Sequence, residues 1–124
     1  MTTHDQPSTT GYKRGDVVLV TFPNSDLKTA KLRPALIVQA DDLNTGLSQV
    51  IIAMISSNLN RAGHPSRVLI ETTSEMGVQS GLLFDSVLMC DNLATVSLKA
   101  VTRKIGAIYD TGEIDSALRY TFGL

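Results

Sequence analysis

Cysteine and histidine are scarce in this chain, and each scarcity excludes a class of function. The one cysteine, Cys90, can form no internal disulfide. Its apolar neighbours Val87, Leu88 and Met89 mark it as an inert thiol in a reducing compartment. With a single cysteine and two widely separated histidines, no metal cluster can be built, and no cofactor is expected. No apolar run approaches the roughly 18 residues that a membrane span needs, and the first residues carry neither a charged n-region nor an apolar h-region. The expected location is therefore cytoplasmic, with no membrane contact. The glycine patterns of phosphate loops and dinucleotide folds are missing, and nothing suggests a Ser-His-Asp arrangement. A formal charge of −1 argues against a protein that coats nucleic acid through overall attraction.

What is present points to one compact domain. At 124 residues and 43% apolar content, the chain can bury one proper core and is too short for two. The tail, residues 1–11, is polar and expected to be mobile, leaving a single domain over residues 12–124. Charge is unevenly spread. Lys28, Lys31 and Arg33 lie close together with no acid among them, and Lys99, Arg103 and Lys104 form a second basic group. A local cationic groove is compatible with this pattern, as are ordinary solvated faces.

The stretch over residues 28–38, KTAKLRPALIV, reads as a basic loop running into an apolar strand, with Arg33 the last residue before it. Proline at position 34 disfavours helical backbone at Arg33 and pushes it towards extended geometry, which presents the guanidinium at a strand mouth. A planar, permanently charged fork suits a pair of phosphate oxygens.

Strands are expected over residues 17–22, 34–40, 49–55, 67–71, 82–90 with a bend at Asp85, and 101–105. The third, QVIIAMI, is too continuously apolar to be half exposed and should lie inside the sheet. Gly77 and Gly81 read as breaks. Asp110, followed three residues later by Glu113, resembles a capping box with Asp110 as N-cap. Ile114, Ala117, Leu118 and Thr121 then recur at helical spacing. The expectation is a mainly β (α+β) fold: a small, curled antiparallel sheet with a C-terminal helix covering one end.

Five strings in order, RGDVVLVTFP, KLRPALIV, VIIAMISS, SVLMCDNLATV and KIG, followed by the final helix, resemble the MazF/PemK family of toxins over about residues 12 to 122. The resemblance implies an SH3-like β-barrel related to CcdB and a homodimer. It implies a metal-independent, sequence-specific endoribonuclease (mRNA interferase) acting on single-stranded RNA. It also implies a cognate MazE/PemI-like antitoxin that blocks the RNA groove with an acidic segment. The family's catalytic arginine precedes the proline of the second strand, here Arg33. Its catalytic hydroxyl closes the third strand, here Ser56 after Ile55. An aspartate in the later strand matches Asp91 of the Cys90-Asp91 pair. Three sites depart from the family pattern: Lys28 stands where many members carry glutamate, with Leu27 where some carry a nearby histidine; Met89 stands where an arginine precedes the aspartate; and Ala94 where DQxRT has its arginine.

RNA is cut without metal when its own 2′-hydroxyl attacks the adjacent phosphorus, leaving a cyclic phosphate and a 5′-hydroxyl. Fixed donors aimed at the developing charge are commonly the largest catalytic contribution. Arginine is a poor general acid, since it holds its proton to above about pH 12, so electrostatic stabilisation is the expectation for Arg33. Ser56 is a candidate donor to a nonbridging oxygen, against the plainer reading of a turn-forming serine. Asp91 is a candidate general base, against a carboxylate that satisfies backbone donors. Histidine is the side chain that titrates near neutrality without perturbation, which makes His64 a candidate proton carrier and RNA contact. Lys28, Lys31 and Arg61 are candidate phosphate contacts, and Tyr12 and Phe22 candidate stacking partners, although Phe22 also fits a core role. The competing reading is a noncatalytic nucleic-acid-binding or CcdB-like gyrase-inhibiting module on the same barrel.

Overall fold

A computed structural model of the protein describes residues 11–23 and 26–124. The expected tail therefore falls almost wholly outside the described residues. The described chain runs β1 (Asp16–Pro23), β2 (Ala30–Ile37), β3 (Gln49–Ser56), β4 (Arg67–Ile70), α1 (Glu75–Ser80), β5 (Ser86–Ser97), β6 (Val101–Ala107) and α2 (Gly112–Phe122). Six antiparallel strands form one sheet in the order β4-β5-β3-β2-β1-β6. β3 lies inside the sheet, as its unbroken apolar content implies.

Alternating side chains supply both faces of this curled sheet. Val17, Leu36, Ala53, Ile55, Leu88 and Cys90 form one apolar cluster with Ile114 and Ala117 of α2. Val18, Val20, Ala35, Ile37, Val50, Ile52 and Val101 form the other. β5 serves both clusters because its register breaks. Met54 pairs with Met89 while the preceding Ala53 pairs with Leu93, so a bulge bends the strand between its halves and wraps the sheet. Among the described residues β4 and β6 are not paired to each other, so the barrel is open along that seam. The last turn of α1 lies there. Gly81, at φ 72°, and Gly106 bring the backbones of α1 and β6 into direct contact, where a Cβ would strike Ile105 O or Ser80 O.

Four local expectations are corrected. β2 spans Ala30–Ile37, so Lys31 to Arg33 are strand and not loop, and the strand ends before Val38. Pro34 is tolerated because that half of β2 pairs with β1 alone, at Leu19, and meets β3 only from Ala35 onward. β5 begins at Ser86 and continues to Ser97; residues 81–85 form a loop, pinned where the Asp85 carboxylate accepts bonds from Thr72 N (2.8 Å) and Thr72 Oγ1 (3.0 Å). α1 replaces a supposed break. Ser74 caps it, accepting from Gly77 N at 3.0 Å, and Gly77 is there because a side chain would collide with Glu71 O. α2 starts one residue later than a cap at Asp110 implies: Thr111 is the N-cap, while Asp110 Oδ1 accepts from Gly112 N at 3.1 Å.

α2 presents the face expected of it, with Ile114 and Ala117 buried and Leu118 packed against them. Arg14 fixes the helix to the start of β1, donating to Asp115 Oδ1 (2.7 Å) and to Val38 O (3.1 Å). Among the described residues no helix is long and apolar enough to cross a membrane.

Candidate active site

β2 and β3 pair over only three residues, Ala35 to Ile37 with Met54 to Ile52. Both strands continue past that ladder, β2 following β1 and β3 following β5. A groove of about 840 Å³ opens where they part. Arg33 and Ser56 each lie two residues beyond the last pair, so the alternation of a strand places both on one sheet face, and both line the groove.

The groove is strongly cationic in a chain of nearly neutral total charge. Lys31, Arg33, Arg61, Arg103 and Lys104 line it, and among the described residues no carboxylate does. Lys104 Nζ pairs with the buried Asp16 at 3.1 Å. Arg33, in contrast, is exposed and makes no side-chain hydrogen bond or ion pair with the described residues. A guanidinium without an internal acceptor is available to an external anion. Ser56 Oγ accepts the backbone N–H of Asn58 at 3.1 Å, which fixes the oxygen and leaves the hydroxyl proton to be donated.

The other candidates lie away from these two. Asp91 faces Arg67, accepting at 2.9 Å and 3.3 Å. Hydrogen bonding from that guanidinium lowers the carboxyl pKa against the opposing effect of burial. Arg67 also donates to Arg61 O at 3.1 Å, so the guanidinium that holds Asp91 also touches the loop that carries Arg61, while Asp91 itself does not line the groove. His64 is likewise outside the lining. Its Nδ1 lies 2.7 Å from Ser66 Oγ and accepts Ser66 N at 3.1 Å, and its ring meets Tyr120 edge to face. Lys28 is exposed and does not line the groove; its backbone N–H and that of Thr29 donate to Asp26, whose pKa they lower. Tyr12 and Phe22 pack against the second core cluster. Burial raises the Cys90 thiol to about 11, which suits an inert core residue. Among the described residues no three His, Cys, Asp or Glu side chains gather as a metal ion would require.

Arg103, Lys104, Asn92 and Phe84 also line the groove. The basic group at Lys99, Arg103 and Lys104 is visible in the sequence, but its position is not. It follows from the pairing of β6 with β1, Leu19 opposite Arg103, between strands far apart in the chain. Met89, where the family pattern has an arginine, receives the guanidinium of Arg61 on its sulfur at 3.6 Å. A loop cation thus stands beside the apolar substitution.

Residues 13–122 match the family described as PemK-like, MazF-like toxin of type II toxin-antitoxin system. The chain belongs to that family. Solved structures share the fold of this PemK/MazF-family chain at low identity. The Mycobacterium tuberculosis toxin MazF-mt6 is 23% identical, with a TM-score of 0.68 over 88% of this chain and 97% of that one. An endoribonuclease in complex with its cognate antitoxin, from a mycobacterial species, is 21% identical with a TM-score of 0.69, covering 91% and 96% of the two chains. A MazE-MazF structure from Deinococcus radiodurans is 16% identical with a TM-score of 0.68, covering 91% and 97%.

Proposed function

We propose that this toxin-family chain is a metal-independent endoribonuclease that cuts single-stranded RNA through attack of the substrate's own 2′-hydroxyl. The observation that carries the reading is that Arg33, unpaired among the described residues, and Ser56 line one groove together with four further cations. Arg33 stabilises the dianionic phosphorane, and Ser56 donates to a nonbridging oxygen. Lys31, Arg61, Arg103 and Lys104 hold the flanking phosphates, contributing affinity and salt sensitivity without reading sequence. Asp91 acts at a distance, holding Arg67 and through it the Arg61 loop.

The same groove offers an acidic antitoxin segment a complementary surface, so a MazE/PemI-like antitoxin and RNA compete for it. The active form in this reading is a cytoplasmic homodimer. One observation favours the noncatalytic alternative: neither Asp91 nor His64 lines the groove, so no general base of the described residues faces Arg33.

Incubation of purified protein with long single-stranded RNA in excess EDTA separates the two. The nuclease yields discrete fragments with 5′-hydroxyl ends that disappear in Arg33→Ala. Salt-sensitive binding without fragments establishes the alternative.

A further inference from the structure

The loop over residues 81–85 places an apolar lip on the cationic groove. Leu83 and Phe84 are 86% and 71% exposed, and both line the groove together with the half-exposed Leu32. Scattered exposed apolar residues need no explanation, but here they meet around one groove, and one of them is aromatic. Phe84 is also held in place. Ser86 Oγ donates to Phe84 O at 2.8 Å, and the adjacent Asp85 is anchored to Thr72. Gly81 fixes the start of the loop against β6, and Leu82 packs into the first core cluster. The ring is therefore presented to solvent by a segment tied down on both sides, so little ordering is lost when a ligand meets it.

Every nucleobase has a flat apolar face, and a polyanion threading the cations would bring bases past this lip. We infer that Phe84 is a stacking platform for one unpaired base of the strand held in the groove, with Leu83 and Leu32 covering the base edge. The inference rests on the proposed RNA-binding function and adds to it the residue that admits a base only when it is unstacked. A second copy of this chain covering the lip is the competing occupant. The absence of carboxylates among the described residues that line the groove, and its five cations, favour the polyanion.

The chain contains no tryptophan, so Phe84→Trp installs a single fluorescent reporter at an exposed position. The probe is a mixed-sequence single-stranded oligonucleotide, fully 2′-O-methylated so that it cannot be cut, compared with an abasic strand of equal length. The expected result is quenching of the introduced indole's emission by the base-bearing strand and not by the abasic one. Phe84→Ala should bind the base-bearing strand about tenfold more weakly, bind the abasic strand as the unsubstituted protein does, and be rescued by Phe84→Tyr. Equal binding of the two strands by the unsubstituted protein overturns the inference, as does emission that depends on protein concentration alone. Failure to cut unmodified RNA with base-dependent binding intact refutes the nuclease and leaves the stacking platform standing.

Discussion

Two groups at the groove carry donors that no acceptor among the described residues takes up. Arg33 has no acceptor among the described residues, while Arg14, Arg67 and Lys104 are each paired with an aspartate. Ser56 is anchored through its oxygen alone. In the proposed mechanism, removing the hydroxyl in Ser56→Ala deletes one donor to a charged centre, worth about 1.5 to 3 kcal/mol. Single-turnover cleavage should therefore fall about ten- to a hundredfold with the melting temperature changed by only a few degrees, and Ser56→Thr should retain activity. Both groups are legible in the sequence because each stands beside a local signal, a proline after the arginine and the end of an apolar strand before the serine. The destination of Asp91 is not legible, because its partner Arg67 lies on another strand.

At the scale of elements, the chain from β4 back to the groove is a relay: Asp91 holds Arg67, and Arg67 holds the carbonyl of Arg61. Asp91→Asn should loosen that loop, raising the KM for RNA more than it lowers kcat, and should cost about 0.5 to 1 kcal/mol, as partly exposed pairs do. The carboxyl pKa is lowered in the folded state, so its contribution is present above the unfolded value near about 4 and is lost as pH falls through the folded value. Urea melts of the two proteins should accordingly differ at pH 7 and converge in stronger acid. α1 offers a second test. Gly77 faces Glu71 O too closely for any side chain, and Gly77→Ala should destabilise the fold by about 1 to 3 kcal/mol, read as a lower melting temperature. The strands and α2 can be read from periodicity, because their burial follows periods of 2 and 3.6. α1 cannot, since its glycines serve contacts with backbone outside the helix, and the same residue type signals a break when those contacts are unseen.

For the molecule as a whole, the proposed function depends on concentrating cations that composition hides. The net charge is −1, yet five cations share one groove because β2, β6 and the loop after β3 converge there. Neutralising three to five phosphates of a single strand gives a slope of about −2 to −3.5 for log K against log salt, at about 0.7 per contact. Fluorescence-anisotropy titrations of the uncleavable oligonucleotide should fall in that range, and Arg103→Ala should reduce the slope by about 0.7. The fold class and the arginine before Pro34 can be read from local patterns; the cationic groove needs the sheet, since its charges come from segments that no local pattern connects. The most direct test is the end chemistry of RNA exposed to the protein in excess EDTA, beside the Arg33→Ala variant. The unsubstituted chain should leave 5′-hydroxyl and cyclic-phosphate ends, and the variant should lose about a hundred- to a thousandfold in rate. Cutting that needs a divalent metal, or that persists at full rate without the guanidinium, would contradict the proposed mechanism.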